Sequence, residues 1–474
     1  MAASTERRPL RSSGAVRRKR RIALALPLVI QPMQEFLQLE AAGGILLLVA
    51  TVAALIWANG PFGNSYLDFW GAHLGVDINL LAINMPLGTW VNDGLMAIFF
   101  FVAGMEIKRE ILQGELADRR KAVLPIVAAL GGMIVPALIF LTFNAGRQGE
   151  HGWGIPMATD IAFAVGVLSL LGSRVPLSLK VFLLALAIAD DLGAIVVIAL
   201  FYSQGIAFTW LAAACGCFAL TALLGVMGVR PVIVYVAVGV VAWVAMYESG
   251  IHATIAGVIL GLLTPLHPHF RERELERNAL DLVVEFRSAE HEGTREGHER
   301  GRSALRALEN LSRESRSPLD RLEHALHPWT SYAIVPVFAL ANAGVVLDSH
   351  AISNAAHSPI TAGVAIGLML GKPTGILLFS WLAVRFGLAS LPGDASWDEL
   401  AGVALVAGVG FTVSLFVSGL AFPGSVLVED AKMGILAGST SMAVIGYAGL
   451  QLISRRSPAR AIVPDSPPTS ASGA

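Results

Sequence analysis

Long apolar stretches, separated by short charged or Gly/Pro-rich joints, dominate the chain. A helix that crosses a bilayer needs about 20 mostly apolar residues. Stretches of that kind run at 41–58, 90–107, 122–143, 155–171 and 177–199. The uncharged run after Asp191 is too long for one crossing. It divides near Ser203-Gln204-Gly205, which places the next stretch at 206–227. Others follow at 231–247, 251–266, 328–347, 359–384, 399–421 and 426–453. This pattern predicts an all-α polytopic membrane protein of about twelve helices. The chain then divides into a basic tail at 1–40, helices at 41–266, a charged loop at 267–327, further helices at 328–453, and a Pro/Ser-rich tail at 454–474 expected to be disordered. Residues 22–30 are too short to span, and no cleavable signal peptide is expected.

Composition supports a membrane solvent. Of 474 residues 55% are hydrophobic and only 15% charged, against roughly 25% charged in a soluble chain. The charges that remain are asymmetric. Basic clusters at Arg17–Arg21, Lys108 to Lys121, Arg174, Arg230, 271–321, Arg385 and Arg455–Arg456 fall on the side of both termini. The opposite loops, near 59–89, 144–154, 203–205, 348–358 and 422–425, hold Arg147 alone. The positive-inside rule therefore puts both termini in the cytoplasm. On the external side, the alternation Val76-Asp77-Ile78-Asn79-Leu80 within 61–88 predicts a short β-hairpin, with an irregular loop as the alternative. The 268–325 loop is dense in Arg and Glu, and is expected to be part helix and part disordered. Cys215 and Cys217, the only cysteines, lie in an apolar helix and read as packing residues.

The chemistry lies in the few charges inside apolar runs. Asp190 and Asp191 sit together within Leu183–Leu200, Asp160 within a second stretch, and Lys372 between Gly371 and Pro373 in a third. Ionisable groups at membrane depth are costly and need one another, water or a cation. Neighbours on a helix point about 100° apart, so one aspartate can line a cavity while the other pairs sideways. Two carboxylates so close resist joint ionisation and titrate together. Protonated, they carry protons; ionised, they offer oxygens to a small hard cation. One site serving two competing ligands is the minimal chemistry of an antiporter. Lys372 is either a displaceable partner of one aspartate or part of a structural ion pair. Interruptions at Gly154–Asp160 and Gly408–Ser414 suggest a site made of broken helices, where Asp160 can balance half-helix dipoles. Glu106, Lys108, Arg109, Glu110, Glu323, His324, His327 and His252 read as a boundary group that either senses pH or simply snorkels. No phosphate loop, zinc-ligand spacing or nucleophile elbow is present, so nucleotide-driven transport has no support.

Several motifs together resemble the NhaA-type sodium/proton antiporters of bacteria. They are FFFVAGMEIKREILQGEL (99–116), PMATDIAFAVGVLSLLGSRVPLSLKVFLLALAIADDLGAIVVIALFY (156–202), HATIAGVILG (252–261), LEHALHPW (322–329), VPVFALANAGV (335–345), GKPTGI (371–376) and GFTVSLFVSGLAF (410–422). The resemblance covers 41–266 and 319–453. It implies a twelve-helix inner-membrane protein with inverted repeats and two broken, crossing helices. It further implies electrogenic, pH-regulated export of sodium or lithium against protons, with no cofactor and no nucleic-acid partner. By motif, Asp190 and Asp191 become the ion-binding pair, with Asp191 the more central sodium ligand. Thr159 and Asp160 lie at the helix crossing, and Lys372 is the membrane lysine. Glu106, Arg109, Glu110, His252 and Glu323 match positions tied to the pH response, and 61–88 matches a dimer-forming hairpin. The long N-terminal tail and the 268–318 loop depart from the pattern.

Three other functions use similar membrane residues. An intramembrane aspartyl protease is expected to carry its aspartates on separate helices in YD and GxGD contexts, which are missing here. A buried Lys372 disfavours a cation channel. A sodium symporter differs in needing an organic solute.

Overall fold

The computed structural model describes residues 41–456 except 79–80, 204, 228, 230–231, 267–271, 292–293, 315–316 and 394. The expected N-terminal tail and residues 457–474 of the C-terminal tail lie outside the described residues. Among the described residues, seven helices are long and apolar enough to cross a bilayer. They are Ala41–Asn59, Arg119–Asn144, Glu150–Leu171, Leu177–Phe201, Phe208–Val226, Pro359–Arg385 and Leu427–Arg455. Trp397–Ala407 and Phe411–Ala421 form an eighth when taken as one span bent by 45°. Val232–Glu248 and Thr254–Leu263 are shorter apolar helices. The two remaining stretches are helical with a π-helical turn inside. Trp90–Leu95 leads into Met96–Gln113, and Thr330–Ile334 joins Pro318–Trp329 to Val335–Asn342. This last helix starts ten residues before the span expected at 328, capped by Ser317.

The outer surface is apolar. Ile56, Leu138, Leu200 and Val226 are more than half exposed. A water-soluble fold would not leave so many large side chains uncovered, whereas hydrocarbon covers them at no cost. Helices meet instead through small residues. Gly131 in Arg119–Asn144 faces Gly375 in Lys372–Arg385, and a Cβ on either would run into the other's carbonyl oxygen. Close backbone approach of this kind is how helices gain packing energy in lipid.

The expected hairpin is present. β1 (His73–Ile78) pairs antiparallel with β2 (Leu81–Pro86), His73 opposite Pro86 and Ile78 opposite Leu81. A short helix not foreseen from the sequence, Gly63–Gly71, precedes it. Its Tyr66 hydroxyl donates to Ala341 O (2.8 Å) and accepts from Gly344 N (3.1 Å), which ties the segment to the end of Val335–Asn342.

The charged loop is more ordered than its composition suggested. Glu272–His291 and Arg295–Glu314 pack together as a helical hairpin. Ala289, Ala304 and Leu311 are buried between them. Apolar residues recur every three or four positions there, so each helix covers the other's stripe. The hairpin hangs from a closed neck, where Leu319 N donates to Pro265 O (3.1 Å). Cys215 departs from its expected packing role: it is exposed on the outer face of Phe208–Val226, and Cys217 is partly buried.

Candidate ion-binding site

Two helix breaks meet in the buried interior. In the first, Glu150–Met157 ends, residues 158–160 run extended, and Ile161–Leu171 begins. In the second, Trp397–Ala407 gives way to Phe411–Ala421. Proline at 156 and glycines at 408 and 410 explain why neither chain continues as one helix. The breaks touch backbone to backbone. Asp160 N donates to Val409 O (2.7 Å), and a Cβ on Gly410 would lie 2.7 Å from Ala158 O.

Each freed helix end at the crossing has a partner. The Asp160 carboxylate caps its own helix by accepting from Phe163 N (2.9 Å). It also accepts from Thr412 N (3.0 Å) and the Thr412 hydroxyl (2.7 Å), at the start of Phe411–Ala421. One negative charge thus faces the positive ends of two half-helices. The Thr159 hydroxyl donates to Ala407 O (3.1 Å), the last carbonyl of Trp397–Ala407. Lys372 donates to Met157 O, the last carbonyl of Glu150–Met157.

Lys372 also reaches the aspartates. It is fully buried and donates to Asp190 Oδ2 at 2.6 Å. Asp190 is fully buried on Leu177–Phe201, with Thr159 alongside, and Asp191 beside it is 6% exposed. The sideways pairing foreseen for one aspartate therefore falls to Asp190. Oδ1 of Asp190 and Oδ1 of Asp191 are buried without a hydrogen-bond partner. Buried polar atoms in native proteins are almost always satisfied, so these two oxygens call for a proton or a cation. No group of three or more His, Cys, Asp or Glu side chains able to hold a metal ion occurs among the described residues. A pair of carboxyl oxygens suits an ion that must leave again.

Relatives give this arrangement a family. Residues 34–450 match the family described as Na+/H+ antiporter 1. A Na(+)/H(+) antiporter NhaA of Anaeromyxobacter sp. (strain Fw109-5) is 51% identical over 444 residues, covering 92% of this chain and 95% of that protein. Proteins of the same name from Oleidesulfovibrio alaskensis and Rhodopirellula baltica are 47% and 46% identical. They cover 90% and 93% of this chain, and 94% and 99% of their own lengths. The chain belongs to the NhaA family.

A second cluster of this NhaA-family chain lies at the charged end of Met96–Gln113. Arg109 and Glu323 form an ion pair at 2.5 Å, and His327 Nε2 lies 3.4 Å from Glu106 Oε1. Glu110 accepts from Glu115 N (2.7 Å). Burial raises the pKa of Glu323 above the usual 4.5, with Arg109 opposing the shift. Burial also raises Glu110, against its backbone hydrogen bonds.

His252 does not join this group, which corrects the sequence grouping. It sits just before Thr254–Leu263, with its ring Nε2 2.9 Å from Tyr202 O. Lys108 contacts Thr264 O (2.6 Å) just past the other end of the same helix. Ten residues of helix, about 15 Å, separate the two. Thr412 and Ser414 carry no distinctive signal in the sequence, although both lie in the break at Gly408–Ser414. Ser414 Oγ donates to Ile155 O at 2.7 Å. The carbonyl at Met157 left no signal in the sequence at all.

Proposed function

We propose that the chain exchanges sodium or lithium for protons across the bacterial inner membrane, through one competitive site at Asp190 and Asp191. The observation that carries this reading is the pair of buried, unpartnered Oδ1 atoms beside a lysine that already holds Asp190. In the proton-loaded state Asp191 carries a proton and Lys372 neutralises Asp190. A sodium ion entering the site takes oxygens from both carboxylates. Asp191 gives up its proton, and Lys372, having lost its partner, gives up a second. Two protons per sodium then move net charge in each cycle, so the exchange is electrogenic. Thr159 adds a neutral oxygen beside Asp190, and Asp160 keeps the crossing balanced throughout.

The wider proposal follows the same lines. The chain has twelve spans in two inverted repeats, each repeat contributing one break, and alternating access moves one helix bundle past the rest. Basic loops place both termini in the cytoplasm. The hairpin His73–Pro86 pairs two copies into a homodimer. Glu106, Arg109, Glu110 and Glu323 set the pH response from the cytoplasmic mouth, and His252 acts on it from the opposite end of its helix. The activity serves sodium and pH homeostasis.

Everted membrane vesicles with a pH-sensitive dye test the central claim. Sodium added to vesicles carrying the parent chain should dequench the dye, and Asp191→Asn should abolish the response. Normal dequenching with Asp191→Asn would rule out the site.

A further inference from the structure

Two elements flank the site side by side, the aspartate helix Leu177–Phe201 and the half-helix Glu150–Met157. They are tied at two places. Near the site, Lys372 bridges Asp190 on one element and Met157 O on the other. At the far end the tie is Tyr202, which caps the aspartate helix with its own N–H on Ile198 O (3.2 Å). Its hydroxyl donates to His151 O (2.8 Å) and accepts from Gly154 N (3.0 Å). Tyr202 is 5% exposed, and its ring lies against Trp153 with 6.3 Å between centroids. A Cβ on Gly154 would lie 2.6 Å from the phenol oxygen, so only glycine permits this approach.

We propose that Tyr202 is a positioning residue for ion exchange: a permanent clamp that holds the half-helix in register while the Lys372 tie opens and closes. The inference rests on the competitive site proposed above. Sodium takes the Asp190 carboxylate and so removes the near tie. The half-helix is eight residues of 3-10 geometry followed by extended chain at 158–160. Such helices have poor internal hydrogen bonds and do not hold position alone. In the sodium-loaded state the phenol is the polar tie that remains between the two elements. His252 Nε2, 2.9 Å from Tyr202 O, fixes the base of the clamp to a third helix. The proton-loaded state keeps both ties and depends on the phenol less.

Tyr202→Phe keeps the ring and removes only the hydroxyl. Full-length protein is purified and its thermal unfolding followed in sodium chloride and in choline chloride of equal ionic strength. Sodium KM and maximal rate are measured in proteoliposomes. Without sodium the variant should melt somewhat below the parent, and in sodium the drop should be larger, so the stabilisation added by sodium should shrink. Both hydrogen bonds are lost from both states, but the sodium-loaded state has no second tie; an excess cost there of about 1 kcal/mol should raise the sodium KM roughly fivefold. Gly154→Ala presses on the phenol from the other side and should give the same signature if Tyr202→Phe folds poorly. An equal drop in melting temperature in both salts with an unchanged sodium KM would overturn the clamp. Asp191→Asn is run alongside. If it transports normally, the site itself is wrong; if it is inactive while Tyr202→Phe keeps the parent KM, only the clamp is wrong.

Discussion

Breaking the Lys372–Asp190 pair should be far more damaging than removing it. Both side chains are fully buried and 2.6 Å apart. Lys372→Met removes the ammonium and leaves a buried carboxylate with no opposing charge, with Thr159 its neutral neighbour and Oδ1 without a hydrogen-bond partner. Leaving one member of a buried pair uncompensated costs about 3–5 kcal/mol. Asp190→Asn alone strands the lysine, although Met157 O still accepts from it, so its cost falls at the lower end of that range. The double variant carries no net charge at either position. Replacing a whole buried pair by neutral side chains of similar volume is often close to neutral. The cycle should therefore show a coupling of about 3 kcal/mol or more, well beyond the ~0.5 kcal/mol scatter of independent sites. Unfolding of the detergent-purified protein in sodium-free buffer measures it. If the two single losses simply add in the double variant, Lys372 and Asp190 do not interact as described. Sodium-driven proton flux should be lost in all three variants, which separates stability from transport.

Other perturbations probe the surrounding frame. Thr412→Val removes the hydroxyl that reaches Asp160 at 2.7 Å. A hydrogen bond to a charged group contributes about 1.5–3 kcal/mol, so transport should slow and thermal stability fall by that order, whereas Thr412→Ser should retain both. Glu323 holds its proton to higher pH when folded than the usual 4.5. In the window just above 4.5 the folded chain binds a proton that the unfolded chain has released, so stability falls as pH rises there. Glu323→Gln should flatten that slope, and an unchanged slope in urea unfolding would count against it. Excision of 268–316, with the ends rejoined by a short Gly/Ser linker, should leave sodium-driven proton flux intact, because Leu319 N and Pro265 O already close the neck. Loss of flux from a well-folded deletion would show that the helical hairpin takes part in transport.

What could be read from sequence follows from how unusual each residue is in its surroundings. Asp190, Asp191, Asp160 and Lys372 stand out because a charge in an apolar run is costly; Asp160 lies at the crossing, and Lys372 joins Met157 O beside it to Asp190. The breaks stood out because Pro156 and Gly408–Gly410 oppose helix. The site's remaining parts are ordinary in sequence. Met157 O is a backbone atom, Tyr202 is one aromatic at a helix end, and Thr412 is one hydroxyl among many. Their roles arise only when distant segments meet. Cys215 reads as a packing residue in sequence because a lipid-facing helix surface is as apolar as a packed one, so periodicity cannot separate them. Charge density hid the hairpin of Glu272–Glu314, whose apolar stripe is narrow. His252 resembles the boundary group in residue type, whereas counting helices puts it at the opposite end from Glu323.

The crossing gives this ion pair a role beyond stability. Asp160 answers two positive helix ends and Thr159 answers one negative end, and neither interaction needs to change when an ion binds. Lys372 differs, because it answers two groups together: the end of Glu150–Met157 and the Asp190 carboxylate. Any cation that competes for Asp190 therefore also acts on the lysine that faces the half-helix end. A methionine at 372 would pack as well and leave the half-helix end uncompensated, but it could not transmit that competition. A lysine can, since it keeps its carbonyl partner while its charge responds to the carboxylate. If the ion binds at Asp190 and Asp191 as proposed, its occupancy is linked to the position of a broken helix, which is what alternating exchange of two ligands at one site requires.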